Sequence, residues 1–158
     1  MKYARFHEVE AEPMTAYEFD DFKNREHTTA ENAPGYKVTY PDGYVSWCPK
    51  DAFEASGRPI DGMTFGMAIE ALKRGKKVTR RGWNGKGMFL WLKPAATIKA
   101  DWCPDPDLKA LVEQNGGEIL ALGTVCMYTH DSTGRKAILT GWLASQSDML
   151  CEDWAVVE

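Results

Sequence analysis

Residues 63–92 read MTFGMAIEALKRGKKVTRRGWNGKGMFLWL, and this stretch decides the fold of the larger part of the chain. From Phe65 to Leu72 its apolar residues recur at the i, i+3, i+4, i+7 spacing of an amphipathic helix. Thr64 is a residue type that caps helix starts, and Gly75 is a residue type that commonly follows helix ends. The stretch therefore predicts one helix between Thr64 and Gly75, followed by extended chain.

Two short strands are predicted after this helix, over residues 76–80 and 88–93, with a tight turn over residues 81–85 between them. The second strand, which reads MFLWLK, is apolar on both of its faces. Such a strand lies either inside a sheet that is covered on both sides or against another subunit. A chain of 158 residues has too little helix to cover two faces, so we expect a subunit interface.

Towards the C-terminus the pattern indicates more antiparallel sheet. Residues 125–130 and 136–142 are extended segments around DSTG, a composition typical of a hairpin turn. Residues 154–157 are expected to close the sheet as a last strand. The intervening segment, residues 94–117, is rich in Pro and Asp, and we expect an irregular excursion that contains a helix over residues 105–114.

The first 60 residues predict a small α+β module of their own. The sequence YKVTYPDGYVSW at residues 36–47 indicates two strands around a Pro-Asp-Gly turn, in which Pro presets φ and Gly accepts a positive φ. The other expected elements are an edge strand within residues 1–12, a helix over residues 14–25, a loop over residues 26–35, and a short helix that ends near Ala55.

Together these elements predict an α+β protein with two domains. The first is the small α+β module at residues 1–60, and the second, at residues 63–158, is an antiparallel β-sheet with a packed N-terminal helix. The chain is long enough to bury a core, and its 44% hydrophobic and 27% charged residues are ordinary for a globular protein.

Several classes of protein are disfavoured by the composition. No apolar run approaches the roughly 20 residues that span a bilayer, and the first residues lack the apolar segment of a secretory signal. The net charge is −4, with the acidic excess in residues 1–62, which argues against long nucleic acid as a partner. The four cysteines form no CxxC pair, which indicates reduced thiols. We expect a protein that stays in the compartment where it is made.

The segment GWLASQSDMLCEDW at residues 141–154 is the first candidate for a binding site. Trp142 and Trp154 bracket a run of small and polar side chains that follows neither the strand nor the helix period. Indole rings stack on bases at about 1–3 kcal/mol each, and short polar groups bind sugar hydroxyls. The run therefore suits a ligand that is part ring and part sugar. The alternative is that residues 145–148 simply cap a short helix.

The second candidate is the basic segment from Lys73 to Lys86. Arg80 and Arg81 are its best candidates for phosphate contact, because a guanidinium makes two parallel, charge-assisted hydrogen bonds to a phosphate. Trp83 follows directly and places a ring beside the cations. The alternative is that these cations lie on a solvated helix end and strand edge.

The sequence contains no recognisable catalytic constellation. Gly-x-Ser-x-Gly, His-Glu-x-x-His and Walker-type lysine loops are all absent. An acid–base pair of Asp148 and Glu152, which share a helical face, supports an alternative in which the protein hydrolyses a nucleotide. A further alternative is a module that binds another protein through Trp83 and Trp91. We expect binding without turnover, with no metal ion and no cofactor.

Two blocks, residues 63–92 and WLASQSDMLCEDWAVV at residues 142–157, resemble the second Thoeris anti-defense family of phage proteins. The resemblance covers residues 63–158. It implies a homo-oligomer, generally a tetramer, that acts as a sponge in the cytoplasm of the infected bacterium. Members of the family hold cyclic ADP-ribose isomers made by Thoeris immunity without cleaving them. Some members also hold cyclic oligonucleotides of the related CBASS defence at a separate pocket.

Carried over residue by residue, the resemblance implies a pocket built from both blocks. Asp153 and Trp154 match the end of the family pattern and are assigned to packing. The chain departs from short members of the family in the length of residues 94–117 and in residues 34–58, which resemble a small uncharacterised phage domain. With the two arginines, the candidate ligand-binding residues are Arg80, Arg81, Trp83, Asn84, Gly85, Trp142, Ala144, Ser145, Gln146, Asp148 and Met149.

Overall fold

The computed structural model describes residues 7–157 and divides the chain into two compact units, with the boundary between Pro59 and Ile60. Both units combine helices with antiparallel strands, which confirms the predicted α+β class. Within residues 7–157, no helix is long and apolar enough to cross a membrane. The four cysteines are free thiols.

The first unit is a three-stranded antiparallel sheet with two helices. Its first helix starts with a reciprocal cap, in which the Thr15 side chain accepts from the Glu18 N–H and the Glu18 carboxylate accepts from the Thr15 N–H. The predicted turn is confirmed, with Gly43 at φ 83° and the Tyr44 N–H donating to the Asp42 carboxylate. In chain order the elements are β1 (Glu10–Pro13), α1 (Ala16–Phe22), β2 (Gly35–Thr39), β3 (Val45–Pro49) and α2 (Lys50–Ser56), with sheet order β1-β2-β3.

Helix α1 is shorter than the helix predicted over residues 14–25, because it ends at Phe22. The carboxylate of Asp20, 2% exposed, accepts hydrogen bonds from Arg25 Nε and from the Thr28 N–H, both at 2.7 Å. A buried carboxylate needs such donors. The chain after Phe22 therefore folds back as a loop that supplies them.

The second unit is a five-stranded antiparallel sheet against which the N-terminal helix of the unit packs, as predicted, plus a separate two-stranded sheet. The five strands lie in the order β10-β4-β5-β8-β9. In chain order the elements are α3 (Phe65–Lys73), β4 (Lys77–Arg80), β5 (Phe89–Lys93), β6 (Ala96–Lys99), α4 (Pro106–Gln114), β7 (Glu118–Ala121), β8 (Thr124–His130), β9 (Lys136–Thr140), α5 (Gln146–Leu150) and β10 (Trp154–Val157).

The core of this unit lies between α3 and the sheet. Thr64 caps α3 by accepting from the Met67 N–H, and Gly75 follows the helix at φ 80°, which confirms both predicted ends. The apolar side of α3 faces buried strand residues, so burial of this helix against the sheet contributes hydrophobic stabilisation to the unit. The buried core residues are Met63, Ala68, Ala71, Leu72, Val78, Leu90, Met127 and Trp154.

Residues 94–117 are not irregular, contrary to the prediction. Strands β6 and β7 pair with each other, with Ile98 opposite Ile119, and α4 lies between them in sequence. Asp105 caps α4 by accepting from the Leu108 N–H at 2.8 Å, and Val112 is fully buried. The helix predicted over residues 105–114 is thus confirmed. Strands β6 and β7 were not predicted, because four residues are too few to show the alternation of apolar and polar residues that marks a strand.

Two strand boundaries also differ from the prediction. The edge strand expected within residues 1–12 is β1, which begins at Glu10 and ends one residue beyond that range; residues 1–6 lie outside the described part of the chain. Strand β9 ends at Thr140, not at Trp142, because Gly141 adopts φ 81°, a left-handed conformation that breaks the extended chain.

Strand β5 lies in the middle of the sheet, and its two faces differ. Leu90 is fully buried in the core, whereas Phe89 and Trp91 lie on the other face. There they line an open cleft of about 300 Å³ together with Tyr128 and Ile138, and Ile138 is 66% exposed. Whether a second subunit covers this face stays a prediction.

Candidate functional site

Three tryptophans from the two sequence blocks meet in one cluster. The ring centroids of Trp83 and Trp142 lie 6.1 Å apart, and both rings pack edge-on against Trp154 at 5.5 and 6.2 Å. Trp154 is fully buried, whereas Trp83 and Trp142 are partly exposed. The interpretation that the two blocks converge in space is therefore confirmed.

Asp148 is 7% exposed, and its carboxylate connects the two blocks. Its Oδ1 accepts from Arg80 Nη1 at 2.7 Å and from Trp83 Nε1 at 3.0 Å. Its Oδ2 accepts from the Ser145 N–H at 2.9 Å and from Ser145 Oγ at 2.6 Å. Burial raises the pKa of a carboxyl, but the bonds from Ser145, Arg80 and Trp83 outweigh it and hold the pKa of Asp148 far below its usual value. Asp148 is therefore ionised at neutral pH.

Arg80 lies at the end of β4, where its side chain is only 13% exposed. Besides Asp148, its guanidinium contacts Asp153, with Nε 2.9 Å from Oδ1 and Nη2 3.5 Å from Oδ2. The bonds to Asp153, opposed by burial, raise the pKa of Arg80 further above its usual value. We call Arg80, Asp148 and Asp153 the arginine–carboxylate cluster. The phosphate contact expected of Arg80 stays a prediction, and the partners that the structure gives it are carboxylates.

Asp153, the residue before β10, is hydrogen-bonded to the turn that follows β4. Its Oδ2 accepts from the Gly82 N–H at 2.8 Å, and the Arg80 bonds lower the pKa of Asp153 to about 2 against the opposing effect of burial. A Cβ on Gly82 would lie 2.6 Å from this carboxylate oxygen, so the close approach requires glycine. Sequence reasoning left Asp153 and Gly82 out of the site. An arginine predicted to be buried, and hence in need of a carboxylate partner, is the signal that could have found Asp153.

Ser145 forms the cap of α5, so the alternative interpretation of this run as a helix cap is correct for Ser145 and Asp148. The Ser145 side chain accepts from the Asp148 N–H at 3.1 Å, and the Asp148 carboxylate accepts from the Ser145 N–H at 2.9 Å. Trp154 Nε1 donates to the Asp148 carbonyl oxygen at 2.9 Å, so α5 is held at its first turn by Ser145 and at its middle by Trp154. The cap does not exclude a binding site, because Gln146 and Ser147 extend into solvent.

The candidate residues divide into three sets by burial: inner, half-buried and exposed. Arg80 and Asp148 are inner, Trp83, Gly85, Trp142 and Ala144 are half-buried, and Arg81, Asn84, Ser145, Gln146 and Met149 are exposed. Arg81 is 61% exposed, with Nη1 3.9 Å from Asp61 Oδ2.

The environment of Asp148 bears on the hydrolase alternative. Asp148 has a lowered pKa and is fully engaged in hydrogen bonds, so it is poorly suited to be the general acid or base of the hydrolase alternative. Within the described residues, no group of three or more His, Cys, Asp and Glu side chains is arranged to hold a metal ion.

Comparison with known proteins identifies relatives of the second unit. The family model described as Tad2-like, a Thoeris anti-defense 2-like domain, matches residues 63–157, which include residues 94–117. The chain is also similar to a protein named Thoeris anti-defense 2 from Bacillus phage SP01. The two are 37% identical over 95 residues, which cover 60% of this chain and 94% of that protein.

Proposed function

The chain belongs to the Thoeris anti-defense 2-like family, and from this premise we propose that it binds a cyclic nucleotide immune signal and holds it without cleavage. Membership confirms the resemblance found in the sequence and supports a role in phage anti-defense. The ligand class we propose is cyclic ADP-ribose isomers, with cyclic oligonucleotides as a second class. The proposed place of action is the cytoplasm of the infected bacterium.

The observation that carries the proposal is the convergence of indole rings and polar side chains from two distant segments. Trp83 and Trp142 are half-buried, and they lie beside the turn that bears Asn84 and the helix start that bears Gln146 and Ser147. Exposed ring faces stack on bases, and amides and hydroxyls bind ribose hydroxyls. This combination fits a ligand that contains a base, riboses and phosphates.

Arg81 is the cation that we propose for phosphate contact. Its side chain is 61% exposed, and the contact of its Nη1 with Asp61 Oδ2 is long, at 3.9 Å. Exposed ion pairs of this kind contribute about 0–1 kcal/mol, so a phosphate can replace Asp61 at little cost. Arg81 follows Arg80 directly, and its backbone N–H donates to the Asp153 carbonyl oxygen at 3.1 Å, which fixes its position beside the tryptophan cluster.

A sponge has to hold its ligand tightly. A nanomolar Kd corresponds to a binding free energy of about 12 kcal/mol. Two or three stacking contacts of about 1–3 kcal/mol each do not reach this value by themselves, and a site walled on several sides adds the rest. We propose that a second copy of the chain supplies walls and that the protein is a homotetramer. Exposed apolar residues support this: Ile138, on the sheet face that also bears Phe89 and Trp91, is 66% exposed, and Leu143, before α5, and Leu150, its last residue, are 88% and 82% exposed.

A thermal-shift panel tests the proposal. Purified protein is heated alone and with each of several cyclic ADP-ribose isomers, cyclic dinucleotides and cyclic trinucleotides. A tight ligand raises Tm by mass action. At a free-ligand concentration of 100 times Kd, binding adds about 2.7 kcal/mol to the free energy of unfolding. We expect at least one cyclic ADP-ribose isomer to raise Tm, and the variant Asn84→Ala to reduce that shift. A panel without any shift favours the alternative of a protein-binding module.

A further inference from the structure

We propose that Arg80 and Asp148 are positioning residues, which hold the ligand-binding turn against α5 and leave ligand contact to the exposed side chains around them. This inference rests on the proposed function of the same site. It reverses the role that the sequence suggests for these two residues, since both are candidates for direct ligand contact in the sequence.

The acceptor capacity of Asp148 is already filled. A carboxylate offers about four lone-pair positions, and Asp148 accepts from four donors: Arg80 Nη1, Trp83 Nε1, the Ser145 N–H and Ser145 Oγ. All four bonds are 3.0 Å or shorter. A ribose hydroxyl can therefore bond to this carboxylate only if it displaces an internal donor, and such an exchange gains no hydrogen bond.

The guanidinium of Arg80 is enclosed in the same way. Nη1 contacts Asp148, while Nε and Nη2 contact Asp153, and the side chain is 13% exposed. A phosphate that approached Arg80 would enter between two carboxylates and meet like charge. The net charge of the arginine–carboxylate cluster is −1, which makes it an unfavourable anion site, whereas Arg81 next to it is open.

The arginine–carboxylate cluster joins parts of the chain that are far apart in sequence. Arg80 bonds to residues 68 and 73 positions away, and the Gly82 N–H and Trp83 Nε1 bond to the same two carboxylates. The turn that bears Asn84 and the start of α5 that bears Gln146 thus take their relative position from one set of charged hydrogen bonds. Loss of this set frees both ligand-bearing segments at once.

The variant Arg80→Lys tests the inference, because lysine keeps the charge but cannot contact both carboxylates through a planar fork. The first readout needs no ligand: the 15N–1H resonance of the Trp83 indole N–H and its exchange with water. The second is the affinity, by titration calorimetry, for the cyclic ADP-ribose isomer that gives the largest thermal shift. Arg81→Gln is the matched control for direct contact.

In Arg80→Lys we expect the Trp83 indole resonance to shift, its exchange to accelerate at least tenfold, and affinity to fall at least tenfold. In Arg81→Gln we expect the Trp83 resonance to stay unchanged while affinity falls. If Arg80→Lys does not fold by circular dichroism, Asp148→Asn, which keeps the side-chain shape, takes its place with the same expectation.

Two results would overturn the inference. One is an unchanged Trp83 resonance in Arg80→Lys together with lost affinity, which is the behaviour of a direct ligand contact. The other is wild-type affinity in a variant whose Trp83 resonance has shifted. If the wild-type protein binds no member of the panel, the proposed function fails, and the ligand-free exchange measurement alone decides whether Arg80 positions the turn.

Discussion

The Nη1 atom of Arg80 lies 2.7 Å from Oδ1 of Asp148, although 68 residues separate the two along the chain. The pair is nearly buried, with side-chain exposures of 13% and 11%. Removing one partner of a buried ion pair leaves an uncompensated charge, which typically costs about 3–5 kcal/mol. Because Arg80 ends β4 and Asp148 lies in α5, this contact connects the first strand of the second unit's main sheet to the helix that precedes its last strand.

The pH dependence of stability should reflect Asp153. Its pKa is lowered from 3.8 to about 2, mainly by the hydrogen bonds from Arg80. A carboxyl whose pKa is lower in the folded state stabilises the fold above its unfolded pKa, and this contribution is lost as the pH falls. We expect the free energy of unfolding to fall by about 2 kcal/mol on this account between about pH 4 and pH 2, measured by urea titration.

The variant Asp153→Asn should remove this part of the pH dependence. The matched control is Asp61→Asn, whose side chain is 70% exposed and which should keep the wild-type slope. If Asp153→Asn retains the full acid-induced loss of stability, the charge on Asp153 does not contribute to the fold in the way argued above.

Replacing Trp83 with Phe should weaken the fold and the ligand site together. The substitution removes the indole N–H that donates to Asp148, which leaves a buried acceptor with one donor fewer and costs about 1–3 kcal/mol. Urea unfolding gives the stability, and titration calorimetry gives the affinity. Trp102→Phe is the control, since Trp102 is 63% exposed and lies outside the cluster, and its stability should stay within about 0.5 kcal/mol of wild type. Equal effects of the two variants would refute the prediction.

Two Gly-to-Ala substitutions should have opposite signs. At Gly82 a Cβ lies 2.6 Å from Asp153 Oδ2 and 3.2 Å from Arg80 Nη2, so Ala displaces the arginine–carboxylate cluster and should destabilise by about 1–3 kcal/mol. At Gly66, inside α3, a Cβ has no neighbour closer than 3.9 Å, and Ala should stabilise by about 0.5–1 kcal/mol. Thermal unfolding of both variants checks the signs, and a stable Gly82→Ala protein would contradict the described contact.

The open sheet face should determine oligomeric state. Ile138 is 66% exposed and lines the same cleft as Phe89 and Trp91, so Ile138→Lys should leave each subunit folded while it disrupts an interface on that face. Size-exclusion chromatography with light scattering should then report a smaller species than for the wild type. A tetramer that survives Ile138→Lys places the interface on another surface.

Predictions of secondary structure from the sequence were most accurate where the capping residue, the apolar spacing and the terminal glycine all indicated the same element. Helix α3 carries a capping Thr64, a regular apolar stripe and a terminal Gly75, and all three were realised. The strands β6 and β7 have four residues each, and only their mutual pairing makes them strands, so no local period reveals them. The early end of α1 has a similar cause, because the buried Asp20 draws the following chain into a loop.

For the site, the sequence indicated which residues are near one another but not which of them are free to bind. The tryptophans and the polar run were predicted to converge from motif positions, and they do. That Arg80 would face two carboxylates depends on the neighbouring positions of β4 and β10, where Arg80 is directly opposite Trp154. Such register between strands more than 70 residues apart is a property of the folded sheet, not of either segment alone.

The central claim is that the protein holds its ligand without reacting with it, and one measurement tests this most directly. Protein is incubated with the cyclic ADP-ribose isomer that raises its Tm most, free ligand is removed by filtration, the complex is denatured by heat, and the released material is identified by mass spectrometry. The account predicts that the intact cyclic molecule reappears in an amount matching the protein sites that bound it. Release of a linear or hydrolysed product would contradict it.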